Sequence, residues 1–129
     1  MGSRVGQVTT AQFLLDTNVV IGLVKGPGAA RDLVDSNNAP PEICAISQIT
    51  RIELLSFHAL SPGEEARIKA LLSVMTVMLL NDQIEQQAIA LRIRTRLKLP
   101  DAIIGATAKV AGLQLLTLDQ RLIAALASP

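Results

Sequence analysis

The chain of 129 residues contains no tryptophan, no tyrosine and only two phenylalanines, Phe13 and Phe57. Aromatic stacking can therefore contribute little to any binding surface it offers. Its one cysteine, Cys44, excludes an internal disulfide and a cysteine-rich zinc site. Within Glu42-Ile43-Cys44-Ala45-Ile46 it reads as a small buried hydrophobe. There is one histidine, His58, so a cluster of imidazole ligands is excluded as well. No apolar run approaches the ~20 residues of a membrane-spanning helix, and residues 1–11 lack the apolar core of a signal peptide. The expected location is the cytoplasm. A charge of one sign is missing too: the formal net charge is +1, which by itself points neither toward nor away from a polyanionic partner.

What is present is aliphatic. Half of the residues are apolar and 18% are charged, which argues against disorder and predicts one domain with a substantial core. Residues 1–11 read as a flexible polar lead-in and residues 12–129 as the single domain. Short apolar runs alternate with longer helical patterns, as in successive βα units built around a parallel sheet. Strands are predicted over Phe13 to Asp16, Ile43 to Ile46, Val74 to Leu80 and Gln114 to Thr117. The first helix is predicted from Asn18 or Val19 to near Lys25, and a second from Ala29 to Ser36. A third runs from an N-cap at Ser47 to about Leu60. Ser61-Pro62-Gly63-Glu64 has the cap serine, first-turn proline and third-position glutamate that open a helix ending near Ser73. Asp82 opens a long helix to about Lys98, and Asp101 another that stops at a left-handed Gly112. Asp119 caps a short final helix.

Within this pattern, acidic residues stand where apolar runs stop: Asp16, Glu53, Asp101 and Asp119. A carboxylate at the edge of a buried element is costly unless a cation, a donor or water receives it. Right-handed crossovers put the strand C-termini on one rim, where open α/β sheets bind ligands. Asp16 and Asp119 follow strands ending there, and Glu53 and Asp101 lie on helices that begin there. All four can converge on a hard divalent cation, Mg²⁺ or Mn²⁺, which prefers oxygen ligands. Such an ion activates water and neutralises charge on a phosphodiester without a histidine or lysine base. His58, five residues from Glu53 and so off its helical face, is not needed. Clustered carboxylates without metal repel, so at least one pKa is expected to rise.

Singly, each acid has a plainer role open to it. Asp119 can cap a helix, Asp101 can favour a helix dipole, and Glu53 can pair with Arg51 or Arg67. Asp16 is hardest to explain away, because Asp16-Thr17-Asn18 directly follows a buried strand. Thr17, Asn18, Ser47 and Thr117 neighbour the acids and can orient carboxylates or metal-bound water from behind, although Ser47 and Asn18 serve equally well as helix caps. Setting the four aside leaves 12 basic residues against 7 acids. Arg92, Arg94, Arg96 and Lys98 form a basic run ahead of Asp101, either a solvated face or a track for backbone phosphates.

Four segments carry a resemblance to a known family: Phe13-Leu14-Leu15-Asp16-Thr17-Asn18, Ile46-Ser47-Gln48-Ile49-Thr50-Arg51-Ile52-Glu53-Leu54, Leu99-Pro100-Asp101-Ala102-Ile103-Ile104-Gly105-Ala106-Thr107-Ala108 and Leu115-Leu116-Thr117-Leu118-Asp119. In order and spacing the chain resembles PIN-domain ribonucleases, closest to the VapC-type toxins of prokaryotic type II toxin–antitoxin pairs. The resemblance implies an α/β fold, a three-layer α/β/α sandwich with a central parallel sheet of four or five strands. It implies Mg²⁺- or Mn²⁺-dependent endoribonuclease activity, with Asp16, Glu53, Asp101 and Asp119 as the acidic quartet and Thr117 as a supporting hydroxyl. It also implies a homodimer, a structured RNA substrate, and a small antitoxin lying over the active-site groove. One departure is visible. Family members usually continue into a fifth, edge strand, whereas Arg121 to Pro129 is short and alanine-rich.

Other readings remain open at this level. A haloacid-dehalogenase-type phosphatase or a receiver domain also places an aspartate after the first strand. The phosphatase needs a second aspartate where Asn18 stands, and the receiver's acceptor finds only a faint echo in Asn81-Asp82. A non-catalytic binding domain, or an RNA-processing nuclease with no antitoxin, uses the same fold.

Overall fold

The computed structural model describes residues 10–127; most of the lead-in expected over residues 1–11 lies outside that range. Four strands, β1 (Phe13–Leu15), β2 (Cys44–Ser47), β3 (Thr76–Met78) and β4 (Gln114–Leu116), form one sheet in the order β3-β2-β1-β4, with every pairing parallel. The ladder reaches one residue before β1, since Gln12 N–H donates to Ile43 O and Gln12 O accepts from Gln114 N–H. Around the sheet stand α1 (Thr17–Lys25), α2 (Ala29–Ser36), α3 (Gln48–Leu55), α4 (Pro62–Val74), α5 (Asp82–Arg94), α6 (Leu99–Ala111) and α7 (Gln120–Ala127). This is the α/β sandwich that the alternating pattern predicts.

Strand residues alternate between two cores, because successive side chains on a strand point to opposite faces. Phe13, Leu15, Cys44, Ile46, Val77 and Leu116 face the layer of α1, α2 and α4. Leu14, Ala45 and Met78 face that of α5, α6 and α7. Cys44 is buried, as its apolar neighbours predict, and burial together with nearby Glu42 pushes its thiol up to about 11. Small residues let the helices come close: a Cβ on Gly22 of α1 would stand 2.6 Å from Ala30 Cβ of α2.

Several boundaries move from their predicted places. Helix α3 ends at Leu55 rather than near Leu60, and α5 at Arg94 rather than near Lys98. In both, a hydroxyl at the C-cap turns back on the last turn. Ser56 Oγ donates to Ile52 O at 2.7 Å, and Thr95 Oγ1 donates to Leu91 O at 2.6 Å. Such local bonds compete with continued helix. The basic run is therefore not one helical face, because Arg96 and Lys98 lie beyond α5. Asn81, not Asp82, caps α5, its side chain accepting from Ile84 N–H. Strand β3 is shorter than Val74 to Leu80, and β2 starts one residue late, after a 3-10 turn over Pro41–Ile43. The start of α4 has the full reciprocal cap between Ser61 and Glu64. The Ser61 N–H and the Lys25 ammonium hold Glu64's carboxyl below its ordinary value. Gly112 stops α6 at φ 68°. Among the described residues there is no fifth strand; the alanine-rich end forms α7.

The strand order has one consequence for function. The chain steps from β1 to β2 to β3 in one direction and then places β4 on the other side of β1. The order reverses between β1 and β4, and open α/β sheets bind their ligands in the crevice expected at the C-terminal ends of two such strands.

Candidate active site

Asp16 sits at this reversal point. It follows β1, caps α1 and is 3% exposed. Both of its oxygens are engaged: Oδ1 accepts from Thr17 N–H at 2.8 Å and Oδ2 from the Thr117 hydroxyl at 2.6 Å. Thr117, just past β4, accepts in turn from Asp119 N–H at 3.0 Å. One threonine thus ties the two strand ends that flank the crevice. Asp119 turns its Oδ1 to α7 and accepts from Arg121 N–H and Leu122 N–H, the capping role that its position predicts.

Glu53 comes from a different element. It lies in the second turn of α3, and its Oε1 accepts from Thr17 Oγ1 at 2.6 Å across 36 residues of chain. Asp101 stands in the first turn of α6, after Pro100. Desolvation raises its carboxyl above the ordinary value of 3.8, and the charges of Asp16, Asp119 and Glu53 raise it further, against a smaller opposite pull from Lys98. The other three acids therefore all reach Asp101 across a single rim. None of them is ion-paired with a described lysine or arginine. Arg67, considered as a partner of Glu53, instead donates to Val24 O through Nε and Nη2.

This donor set suits a hard cation. It offers carboxylate oxygens with no thiolate or imidazole, and it carries surplus negative charge that already burdens Asp101. Among the described residues no group of three or more His, Cys, Asp or Glu side chains is gathered closely enough to hold a metal ion. An ion such as Mg²⁺, which keeps several waters and takes one or two carboxylates, does not require such a group.

The remaining predicted residues separate. Thr17 and Thr117 touch the acids directly. Ser47 is a helix cap, accepting from Thr50 N–H at 3.3 Å, and contacts none of the acids. Asn18 is exposed, and its side chain makes no hydrogen bond among the described residues. Of the basic run, Lys98 is the one whose charge reaches Asp101. Arg94 donates to Ala125 O at 3.4 Å and so ties α5 to α7. Arg92 and Arg96 are exposed. His58 is exposed too, beside Phe57 and Leu60 at the far end of α3. Thr50 went unnoticed in the sequence, yet it is fully buried 3.0 Å from Thr17 Oγ1. A cavity of about 980 Å³ lies away from the four acids, between α1, α2 and α4, and is lined by residues such as Leu23, Val34 and Leu71.

The family model of the PIN domain matches residues 13–127. The chain belongs to the PIN domain family. No curated protein matches it. Among solved structures, this PIN domain resembles a toxin–antitoxin complex from Klebsiella pneumoniae at 35% identity and TM-score 0.74, covering 88% of this chain and 91% of that one. It resembles a DNA-bound VapBC from Salmonella typhimurium at 25% identity and TM-score 0.63, covering 80% and 83%. A sarcin-ricin loop cleaving VapC toxin from Mycobacterium tuberculosis shares the fold at 23% identity and TM-score 0.68, covering 88% and 95%. No helix among the described residues of this PIN domain is long and apolar enough to cross a membrane.

Proposed function

We propose that the chain is a metal-dependent endoribonuclease, the toxin of a toxin–antitoxin pair, acting in the cytoplasm. The observation that carries the reading is the set of four carboxylates, none of them in a salt bridge with a described residue, at the β1/β4 end of the sheet, where desolvation first and then the charges of Asp16, Asp119 and Glu53 raise Asp101. Asp16, Glu53, Asp101 and Asp119 would hold Mg²⁺ or Mn²⁺. When bound, such an ion lowers the pKa of a water and neutralises charge on the scissile phosphate. The chain's own part is to present the oxygens. Thr117 and the Thr17 amide orient Asp16, Thr17's hydroxyl holds Glu53, and the first turns of α6 and α7 position Asp101 and Asp119. Lys98 and Arg96 supply charge for RNA phosphates. With no Trp or Tyr, recognition rests on backbone and shape.

Likeness to a toxin–antitoxin complex at 35% identity favours this over an RNA-processing nuclease without antitoxin. The cavity of about 980 Å³ between α1, α2 and α4 offers aliphatic walls to an antitoxin segment. A second copy of the chain suits a different surface. On α5, Ile89 (53% exposed) and Ile93 (82% exposed) line, with Glu85 and Arg92, a cavity of about 550 Å³. A two-fold antiparallel crossing about Ile89 sets Glu85 against the partner copy's arginine and Arg92 against its glutamate, as an isologous contact requires. Ile93→Lys is expected to convert a dimer to a monomer in light scattering; an unchanged mass would place the contact elsewhere.

The direct test is incubation of the purified protein with tRNA or ribosomal RNA, in Mn²⁺ and in chelator. Cleavage only with the ion is expected. Equal cleavage in chelator, or none in either, defeats the reading.

A further inference from the structure

The hydroxyl of Thr50 is enclosed on the inner side of α3, with no exposure to solvent. Its Oγ1 lies 3.0 Å from Thr17 Oγ1, which lies 2.6 Å from Glu53 Oε1. A hydroxyl carries one proton, and an ionised carboxylate can only accept. Thr17 must spend its proton on Glu53, so the bond between the two threonines has Thr50 as donor. The direction of the chain is therefore set: Thr50 to Thr17, then Thr17 to Glu53. Thr50 is itself anchored, since its N–H donates to the capping hydroxyl of Ser47 at 3.3 Å.

Asp16, at the end of β1, is served in the same way. Thr117 Oγ1 accepts a hydrogen bond from Asp119 N–H and donates one to Asp16 Oδ2. In each case a threonine aims a carboxylate and is itself fed by a second donor. Such chains polarise each member and strengthen the terminal bond. Glu53 is held through Oε1 alone, and its Oε2 has no partner among the described residues.

We infer that Thr50 is a positioning residue for the cation site: through Thr17 it fixes Glu53 by one oxygen and leaves the other free for the ion. The inference rests on the metal-dependent reading above. It is tested without RNA, by thermal melting of wild type, Thr50→Val, Thr50→Ser and Thr17→Val over a series of Mn²⁺ concentrations. Valine keeps the shape of threonine and puts a methyl in place of the hydroxyl. Loss of such an outer partner costs about 10–100-fold in metal affinity. The Mn²⁺ concentration for half-maximal stabilisation is expected to rise about tenfold in Thr50→Val, to rise at least as much in Thr17→Val, and to return toward wild type in Thr50→Ser.

If Thr50→Val lowers the metal-free melting temperature but leaves the Mn²⁺ midpoint unchanged, the residue is merely structural and the inference fails while the metal site stands. If wild type itself does not respond to Mn²⁺, the metal reading falls and this one with it. Should Thr50→Val not fold, an unchanged midpoint in Thr17→Val overturns the inference on its own.

Discussion

Asp16→Asn is expected to lower RNA cleavage on the order of 10²- to 10³-fold, the scale of losing one preorganised electrostatic group in an active site. Asp16 is the acid with the greatest expected effect because it is the one fully enclosed, at 3% exposure, and stands where the strand order reverses. The substitution keeps size and removes charge. Asparagine's oxygen still accepts from Thr17 N–H, and its amide can donate to Thr117, whose hydroxyl proton then turns elsewhere. The folded state should survive, visible as an unchanged circular dichroism spectrum. Asp101→Asn is expected to act similarly. The double variant should be little worse than the poorer single one, because residues acting as a unit are non-additive. Undiminished cleavage in both single variants, in a protein free of contaminating nuclease, would remove the acids from the mechanism.

Much of this site is legible in the sequence because it rests on local rules. Asp16 is marked by the apolar run before it, and Asp119 by the run ending at Leu118. The capping pair Ser61 and Glu64 and the left-handed Gly112 each follow from residue types a few positions apart. The helix ends were less legible for a single physical reason. Ser56 and Thr95 are ordinary polar residues in sequence, and they become stop signals only by folding back on Ile52 and Leu91. That choice depends on the next segment: Leu97 must reach the core beneath α5 and α6, so the chain turns before it and separates Arg96 from Arg92.

Thr50 was hidden for a different reason. Its partner is 33 residues away in the chain, and no local spacing distinguishes a threonine that feeds another hydroxyl from one that merely fills a helix face. The four acids were visible as types and positions, whereas the threonines that aim them became visible only once β1, α3 and β4 stood side by side.

Millimolar Mn²⁺ is expected to raise the melting temperature of wild type by about 10 °C. A ligand at one hundred times its dissociation constant adds about 2.7 kcal/mol to stability, and in a domain of this size each kcal/mol is worth roughly 4 °C. The metal-free protein carries the opposite burden. Asp101's folded pKa is raised, first by desolvation and then by Asp16, Asp119 and Glu53. The native state then holds a proton that the unfolded chain releases, so stability falls as pH rises from the ordinary value of 3.8 through the raised one, and stays lowered at neutral pH. Asp101→Asn should therefore melt above metal-free wild type at pH 7, with the difference closing below pH 3.8. The same variant should lose most of the Mn²⁺ response. Stabilisation without metal and insensitivity to metal would have one origin, a charge that folding desolvates and crowds among other acids and that a bound cation would relieve. A variant less stable than wild type at pH 7 without metal would mean that Asp101 is held by favourable contacts rather than strained by its neighbours.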